Sequence, residues 1–279
     1  MTVRIILFSD LDGTLLDRET YSHREAAEGL QWILARKIPV IFCSNKTRAE
    51  QEVYRKQLGV NDPFIVENGG GVCVPREYFS MIPENSRPSG PYNVIDLGLE
   101  YSAVRRILDL VRRETGIPFR GFGDMDEAQV ATMTQLDGEA ARRAKLREYG
   151  ETVVLGNPDR DLSRFREVTA RHSLECVHGG RFLNVMGGSN KGSAVRILTH
   201  LFRCEYGEVR ALGIGDGQND RSMLEAVDIP FLVQQAGGVW AAMEVPNLTQ
   251  IDGIGPAGWN RLPGMVEHLM ENSEPEGAS

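Results

Sequence analysis

The sequence predicts an α/β fold in which a doubly wound, Rossmann-like parallel sheet forms the core and a smaller α/β domain is inserted into it. Strand-length apolar runs alternate with helical segments near both ends of the chain, as in sheets built from βαβ units. Residues 3–8 are almost continuously apolar rather than alternating, which indicates a strand covered on both faces. Residues 83–91 are rich in Pro, Ser, Gly and Asn and are interpreted as a linker into the insertion.

The first part of the core contains three predicted strands and two predicted helices. In chain order these are a strand over 3–8, a helix over 22–36, a strand over 38–43, a helix over 47–58 and a short strand over 64–67. The first helix carries apolar residues at helical spacing, and both later strands are short apolar runs. This order predicts a βαβ unit that is extended by a third strand.

The predicted domains are a core formed by residues 1–86 and 181–279 and an insertion formed by residues 87–180. The predicted elements of the insertion are helices over 102–115 and 139–149 and strands over 93–97, 152–155 and 174–177. The core is then predicted to resume with a strand over 182–186, a helix over 191–202, a strand over 209–214, a helix over 221–227 and a strand over 230–233. Residues 271–279 are polar and acidic, and we expect them to be frayed.

Composition narrows the class of protein. A chain of 279 residues is long enough for an α/β core with a second, smaller domain. Its net charge of -8 opposes non-specific adhesion to nucleic acid or anionic membranes, and no apolar stretch is long enough to span a bilayer. The four cysteines include no C-x-x-C pair, which argues against a zinc or redox motif. We therefore expect a cytoplasmic protein whose partners are neither nucleic acids nor membranes.

Asp10 and Asp12 follow the first predicted strand in the run Asp-Leu-Asp-Gly-Thr. Open α/β sheets bind ligands at the carboxyl ends of their strands. Residues two apart on an extended chain project to the same side, and Gly13 lets the chain turn, so one carboxylate can attack a bound group while the other moves a proton. The alternative is an acidic turn that caps the next helix, but two carboxylates at a buried strand end repel each other without a counter-ion.

A second acidic cluster, Asp216 to Asp220, follows the strand predicted over 209–214. Hard oxygen ligands suit Mg²⁺, which takes one or two carboxylates together with water and phosphate oxygens. Asp216 is the candidate for direct ligation beside Asp10, and Asp220 is a candidate to orient ligands or the loop. The alternative is a loop whose polar residues cap the following helix.

Ser44 ends the second predicted strand, and Lys191 begins a predicted helix after Gly-Gly-Ser-Asn. A hydroxyl and backbone N–H groups can bind phosphate oxygens, and a lysine at a helix N-terminus adds charge where the dipole favours an anion. Taken singly, each residue could equally be a capping serine or a surface lysine. Together with the acidic clusters they indicate phosphate chemistry, because all four groups fall at strand ends or in loops that lead into helices.

In this order, the four motifs resemble those of the haloacid dehalogenase superfamily of phosphotransferases. The motifs are residues 10–14, Ser44, Lys191 and residues 215–220. The long insertion between the second and third motifs resembles the type IIB α/β cap, also called C2B, of the Cof-like branch. The segments 44–48, 63–71, 140–149 and 178–182 are similar to phosphatases of glycosyl phosphoglycerates.

The resemblance implies a phosphatase that works through a phosphorylated aspartate. It makes Asp10 the nucleophile, Asp12 the general acid and base, and Ser44 and Lys191 the phosphate-binding residues. A carboxylate nucleophile divides hydrolysis into two displacements, and cations offset the charge that repels Asp10 from phosphate. The implied cofactor is Mg²⁺, and its implied ligands are Asp10, Asp12 through its carbonyl, Asp216 and Asp220.

A glycosyl phosphoglycerate offers a phosphate, a carboxylate and sugar hydroxyls, so its site should contain cationic and polar side chains. Arginine suits bidentate carboxylate binding, and basic residues crowd the helix predicted over 139–149. The candidate substrate contacts are Lys46, Arg48, Glu67, Asn68, Gly69, Arg142, Arg143, Arg147, Arg181, Ser189 and Asn219. The alternatives are a solvated charged helix face for the arginines and a turn for Glu67 and Asn68.

Three other functions stay open from the sequence. A broader sugar-phosphate phosphatase, active also on a glucosyl analogue, would use the same motifs. A phosphomutase would retain the phosphoryl group and would need a bisphosphate activator. A non-catalytic phosphosugar sensor needs neither a nucleophile nor a proton-transferring carboxylate, so the Asp10 and Asp12 pair argues against it.

Overall fold

The computed structural model describes residues 3–179 and 182–271. The strands are β1 (Arg4–Ser9), β2 (Val40–Phe42), β3 (Phe64–Val66), β4 (Gly71–Pro75), β5 (Arg87–Ser89), β6 (Tyr92–Asp96), β7 (Phe119–Gly121), β8 (Glu151–Leu155), β9 (Glu175–Gly179), β10 (Phe182–Met186), β11 (Val209–Gly215), β12 (Ile229–Gln234) and β13 (Thr249–Ile254). The α-helices are α1 (Ala27–Ala35), α2 (Arg48–Leu58), α3 (Tyr101–Thr115), α4 (Glu127–Thr134), α5 (Gly138–Ala144), α6 (Pro158–Arg171), α7 (Lys191–Tyr206), α8 (Arg221–Leu224), α9 (Pro256–Trp259) and α10 (Leu262–Glu271).

Five parallel strands form the central sheet in the order β13-β12-β11-β1-β2. Side chains of α1 and α10 pack on one face of the sheet and those of α7 pack on the other, which confirms the predicted doubly wound core. Ser9 of β1 is in register with Ile214 of β11 and with Phe42 of β2. The loops that leave these three strands therefore meet at one edge of the sheet.

A four-stranded antiparallel sheet, β3-β4-β6-β5, adjoins the central sheet through a parallel bridge between Cys43 and Ile65. The strand predicted over 93–97 is observed as β6, but it pairs with β4 of the first core segment. The interpretation of residues 83–91 as a linker is wrong, because β5 and β6 form a hairpin there. Gly90 occupies its turn with a positive φ of 56°, so the turn-forming composition serves a hairpin.

A second antiparallel sheet, β7-β8-β10-β9, belongs to the insertion, which is a cap domain. Apolar side chains of α3 and α6, including Leu108 and Phe165, pack on it. The assignment of residues 182–186 to the resumed core is wrong, because β10 pairs antiparallel with β8 and β9. A short apolar run fixes strand character but not the strand's partner, which depends on long-range pairing.

Two helices of the cap, α4 and α6, are absent from the sequence prediction. Both have N-caps, since the side chains of Asp126 and Asn157 each accept a backbone N–H hydrogen bond from the residue three positions later. The helix predicted over 139–149 is shorter and ends at Ala144. Beyond this helix, the backbone N–H groups of residues 148–150 bind the Glu67 carboxylate instead of helix carbonyls.

The strand β13 and the helices α9 and α10 complete the core and are also absent from the prediction. Trp259 is fully buried, and its Nε1 donates a hydrogen bond to Ser9 Oγ over 3.0 Å. Residues 272–279 of the predicted frayed tail lie outside the described residues. Within the described ranges, no helix is long and apolar enough to cross a membrane.

Candidate active site

Asp10, Lys191 and Asp220 form a buried hydrogen-bonded group at the carboxyl edge of the parallel sheet. Asp10 directly follows β1, Lys191 begins α7, and Asp220 lies in the loop between β11 and α8. Lys191 Nζ lies 2.6 Å from Asp10 Oδ1 and 2.7 Å from Asp220 Oδ1. Lys191 is only 1% exposed, and its charge is offset by the two carboxylates beside it.

The second oxygen of Asp220 holds the loop that carries Asp216. Asp220 Oδ2 accepts hydrogen bonds from the backbone N–H groups of Asp216, at 3.0 Å, and Gly217, at 3.1 Å. Both oxygens of Asp220 therefore already accept protein donors. This carboxylate fixes the position of Lys191 and of the loop at the same time.

Asp216 pairs with Arg18, a residue of the loop between β1 and α1. Asp216 Oδ2 accepts hydrogen bonds from Arg18 Nη2 and, over 3.3 Å, from Gln235 Nε2. Asp216 Oδ1 is buried and has no hydrogen-bond partner among the described residues. A buried carboxylate oxygen without a partner is costly, so Asp216 retains one oxygen that is suited to bind a cation.

The carboxylates present fit a hard metal ion. Oxygens of Asp10, Asp216 and Asp220 lie within 4.8 Å of one another, and all three residues are buried. Oxygen ligands in this arrangement suit Mg²⁺. Asp12, which the resemblance makes a ligand through its carbonyl, adds no side-chain oxygen to this group.

The site carries an excess of buried negative charge. Burial raises the pKa of Asp10. The nearby carboxylates of Asp220 and Asp216 raise this pKa further, whereas Lys191 lowers it. The pKa of Asp216 is raised by burial and by Asp220, against the opposing effect of Arg18. Burial alone would lower the pKa of Lys191, but Asp10 and Asp220 raise it overall. A divalent cation would offset the repulsion among these carboxylates.

Asp12 pairs with Lys46, a predicted substrate contact. Lys46 Nζ lies 3.0 Å from Asp12 Oδ2 and 3.9 Å from Glu50 Oε1, and it faces the rings of Tyr21 and Tyr54. Burial alone would lower the pKa of Lys46, but Asp12 and Glu50 raise it overall. Asp12 Oδ1 is buried and lacks a hydrogen-bond partner in the described part of the chain, so one oxygen is available to a reacting group.

One cavity brings the core and the cap together above the sheet edge. Its core wall is formed by Asp10, Asp12, Arg18, Tyr21, Ser44, Asn45, Lys46, Glu50 and Asn219. Its cap wall is formed by Phe122, Thr134, Leu136, Ala144, Arg147, Thr152, Phe182 and Asn184. A ligand in this cavity can therefore touch both the acidic group and the cap.

Arg147 reaches the core from the cap. Its Nη2 donates hydrogen bonds to Asn45 Oδ1 over 3.1 Å and to the Asn45 carbonyl over 3.3 Å. Its Nε donates to the Gly150 carbonyl over 2.7 Å and lies 3.5 Å from Glu67 Oε2. Among the basic residues predicted on the helix over 139–149, Arg147 is the one that the structure places in the cavity wall.

Glu67 joins the core to the cap behind the cavity. Its side-chain oxygens accept backbone N–H groups of Glu148, Tyr149 and Gly150 at 2.7, 3.0 and 2.8 Å. Burial raises the pKa of Glu67, while Arg147 and these N–H groups lower it, and burial prevails. Glu67 is 1% exposed and is not among the described residues that line the cavity. Its observed contacts therefore hold the core against the cap and do not reach the cavity.

Asn68, Gly69 and Ser189 also lie outside the described cavity wall. Asn68 Nδ2 donates to Asn45 Oδ1 over 3.1 Å. A Cβ at Gly69 would lie 2.2 Å from the Asn190 carbonyl oxygen, so the close approach of the chain to α7 requires glycine. Ser189 Oγ makes a long contact of 3.5 Å with the carbonyl of the next residue.

Three other predicted arginines, Arg48, Arg142 and Arg143, are not among the described residues that line the cavity. Arg48 donates to Ser89 Oγ over 2.7 Å and lies 3.0 Å from Glu148 Oε1. Arg142 and Arg143 both face Glu139, at 3.0 and 3.8 Å. Arg181 lies outside the described residues.

Several polar residues of the cavity wall are absent from the prediction, among them Arg18, Asn45, Thr152 and Asn184. Arg18 lies close behind the first motif, and Asn45 directly follows Ser44, so proximity to a motif was a usable signal. Asn184 stands in the otherwise apolar run Phe-Leu-Asn-Val-Met. A polar residue in a buried strand needs partners, and that signal could have identified it.

Comparisons with known proteins agree with this geometry. Residues 7–86 match the family model of haloacid dehalogenase-like hydrolases. The chain is 42% identical, over 91% of its length and 94% of the relative's, to a glucosyl-3-phosphoglycerate/mannosyl-3-phosphoglycerate phosphatase of Methanococcoides burtonii. It is 34% identical, over 82% of its length and 90% of the relative's, to a mannosyl-3-phosphoglycerate phosphatase of Pyrococcus furiosus.

A solved structure from Thermoplasma acidophilum has the same fold. It superposes with a TM-score of 0.68 over 96% of this chain and 99% of its own, at 19% identity. The chain belongs to the haloacid dehalogenase-like hydrolases, as the four motifs predicted. Within that class, both of the curated relatives described above are phosphatases.

Proposed function

We propose that this protein is a Mg²⁺-dependent phosphatase that hydrolyses mannosyl-3-phosphoglycerate to mannosylglycerate and phosphate through an aspartyl phosphate. One observation carries the proposal: Asp10, held by Lys191, lies beside Asp216 and opens into the same cavity as Asp12. The names of the curated relatives support the substrate class. The glucosyl analogue is proposed as a second substrate, because the Methanococcoides relative is named for both sugars.

Asp10 is proposed as the nucleophile of the first displacement. One of its carboxylate oxygens forms a bond to phosphorus while the bond between phosphorus and the glycerate oxygen breaks. Asp12 gives a proton to that departing oxygen. Lys46 holds Asp12 from the opposite oxygen at 3.0 Å, so Asp12 Oδ1 is the oxygen able to transfer the proton.

A water molecule completes the reaction. It attacks the phosphorus of the aspartyl phosphate, its proton passes to Asp12, and the bond between phosphorus and the Asp10 oxygen breaks. Free phosphate leaves and the Asp10 carboxylate is regenerated. Ser44 and Lys191, which adjoin Asp10, are proposed to bind the oxygens of the phosphoryl group, and Asn219 is proposed to contact it from the cavity wall.

Mg²⁺ is proposed to bind Asp10 and Asp216, with the Asp12 carbonyl as a third protein ligand. When bound, the ion supplies positive charge against the phosphate oxygens. Asp216 fits this role because its buried Oδ1 lacks a partner in the described ranges. Asp220 is proposed to position Lys191 and the loop rather than to ligate, because both of its oxygens already accept protein donors.

The cap is proposed to comprise the chain between β6 and α7, with the rest as the core. This division keeps β3 to β6 with the core sheet and β10 with the cap sheet. Movement of the cap would open and close the cavity. Small-angle scattering with and without a phosphate analogue checks this, and identical profiles would count against such movement.

The function is tested by phosphate release from mannosyl-3-phosphoglycerate, its glucosyl analogue, 3-phosphoglycerate and mannose 1-phosphate. Each is assayed with Mg²⁺ or with EDTA, for the wild type and for Asp10→Asn. Rapid metal-dependent release from the two glycosyl phosphoglycerates alone, lost in Asp10→Asn, supports the proposal. Equal turnover of all four esters would indicate a broad phosphatase. If no phosphate is released from any of them, the phosphatase assignment is rejected.

A further inference from the structure

Asn184 presents an unused hydrogen-bond donor in the cap wall of the cavity. It lies in β10 and is 3% exposed. Its Oδ1 accepts hydrogen bonds from Asn45 Nδ2 over 2.8 Å and from Thr152 Oγ1 over 3.2 Å. Its Nδ2 is buried and has no hydrogen-bond partner among residues 3–179 and 182–271. A buried amide donor without an acceptor costs free energy, which indicates that a ligand supplies the acceptor.

A relay of hydrogen bonds fixes which end of the Asn184 amide lacks a partner. Arg147 has donors only, and its Nη2 donates to Asn45 Oδ1 over 3.1 Å. The Asn45 oxygen must therefore face Arg147, and its NH₂ group must face Asn184. That NH₂ group in turn requires the Asn184 oxygen to face Asn45. The Asn184 NH₂ group is left as the donor, with Asn45 as its positioning residue.

The acceptor belongs to the part of the substrate beyond the phosphate. Asn184 is on the cap wall, whereas Asp10, Asp12 and Ser44, the residues proposed to act on the phosphoryl group, are on the core wall. Arg147 lines the same cap wall, and its guanidinium contributes positive charge that Glu67 Oε2, 3.5 Å from its Nε, offsets in part. Asn45 links the Asn184 amide to the Arg147 guanidinium, and donors near a guanidinium favour an anionic oxygen acceptor. The carboxylate is the one anionic group of a phosphoglycerate ester outside its phosphate.

We propose that the Asn184 amide donates a hydrogen bond to the glycerate carboxylate of the substrate and, with Arg147, makes the enzyme select phosphate esters whose leaving group is anionic. This proposal rests on the proposed function. Asn184 is then a specificity-determining residue that takes no part in bond breaking. Its contact adds to the binding of the leaving group and leaves the phosphoryl site unchanged.

The test compares mannosyl-3-phosphoglycerate with its methyl ester, which keeps the sugar and the phosphate but removes the carboxylate charge. The variant Asn184→Asp keeps oxygen acceptors for Asn45 and Thr152 and replaces the NH₂ donor with an oxygen. We expect kcat/KM for the acid to fall by about 100-fold, since a hydrogen bond to a charged group is lost and a like charge is added. Turnover of the methyl ester, whose carbonyl oxygen is an uncharged and weaker acceptor, should fall by much less. Turnover of p-nitrophenyl phosphate, which lacks this group, should stay near the wild-type level.

Asn157→Asp is the matched control. Asn157 is an exposed residue of the cap that serves as the N-cap of α6, a position where aspartate is equally suitable. The variant Asn157→Asp adds the same negative charge as Asn184→Asp, but it does so away from the cavity. Wild-type preference for the acid should survive in this variant and disappear in Asn184→Asp.

Each other result overturns the proposal. Equal losses with the acid and the methyl ester, but not with p-nitrophenyl phosphate, would assign Asn184 to a sugar hydroxyl. Equal losses with all three substrates would make it a structural residue, and no loss would leave it without a contact. If the wild type hydrolyses p-nitrophenyl phosphate but neither mannosyl-3-phosphoglycerate nor its methyl ester, the proposed function is wrong. The proposed role of Asn184 is then wrong as well.

Discussion

Lys191 Nζ lies 2.6 Å from Asp10 Oδ1, and this buried pair connects the start of α7 to the end of β1. The same ammonium group lies 2.7 Å from Asp220 Oδ1. One buried cation therefore serves two buried carboxylates that would otherwise repel each other. It places the proposed nucleophile before any substrate binds.

Lys191→Met should both inactivate and destabilise the protein. Removing the ammonium leaves Asp10 and Asp220 buried without their cation, and breaking a buried pair costs about 3–5 kcal/mol. Urea unfolding in EDTA measures the loss, and phosphate release measures activity. Lys56→Met, on the exposed side of α2, is the control and should change neither. Wild-type stability in Lys191→Met would contradict the pairing.

Asp10→Asn should abolish activity. In the absence of metal, the variant protein should be at least as stable to unfolding as the wild type. Burial and the neighbouring Asp220 raise the pKa of Asp10 above its unfolded value, so ionising Asp10 at neutral pH opposes folding. We expect a gain of about 1 kcal/mol in the free energy of unfolding at about pH 7 in EDTA.

The pH dependence gives this prediction a second check. Because the folded-state pKa of Asp10 is raised, the cost of ionisation is present above that pKa and fades as the pH falls toward the unfolded value. The stability difference between Asp10→Asn and the wild type should therefore shrink on acidification. A difference that grows at low pH would show that the sign is wrong.

Asp216→Asn should weaken Mg²⁺ binding. Its Oδ1 is buried without a partner in the described part of the chain, and an amide offers Mg²⁺ a neutral, weaker ligand. In the wild type, Mg²⁺ should raise the thermal midpoint, because a ligand that binds only the folded state stabilises it. The shift should be largely lost in Asp216→Asn and kept in the exposed control Asp252→Asn. An unchanged shift in Asp216→Asn would place the ion elsewhere.

Arg18→Gln should increase the affinity for Mg²⁺. The Arg18 guanidinium contacts Asp216 Oδ2 and so places a positive charge beside the proposed metal site. Since 38% of its side chain is exposed, solvent screens part of the repulsion, and we expect the dissociation constant to fall several-fold. Calorimetric titration with Mg²⁺ measures this, with the exposed Arg221→Gln as the control. Weaker binding in Arg18→Gln would instead make Arg18 a supporting residue of the site.

Glu67→Gln should destabilise the junction between core and cap. The glutamine side chain keeps one acceptor oxygen for the N–H groups of residues 148–150 and adds a buried donor that faces them. We expect a loss of about 2–4 kcal/mol in the free energy of unfolding. Glu139→Gln, with a side chain that is 68% exposed, should change stability by less than about 0.5 kcal/mol. Equal effects would remove Glu67 from the junction.

Local patterns along the chain were enough to predict the core fold and the acidic centre of the site. Asp10, Asp216 and Ser44 each follow a buried apolar run, and strands in a parallel sheet end at a common edge. Local order along the chain was therefore enough to bring them together. Lys191 could be included because it begins a helix that returns to that edge.

Only the three-dimensional structure shows which of the predicted contact residues line the cavity. The sequence predicts both Glu67 and Arg147 as substrate contacts. In the structure, long-range hydrogen bonds hold Glu67 behind the cavity and Arg147 in the cavity wall. The strand that carries Asn184 was assigned to the core, and its pairing with β8 and β9 placed it in the cap. Pairing and side-chain direction depend on contacts between residues far apart in the chain, and a local pattern does not contain them.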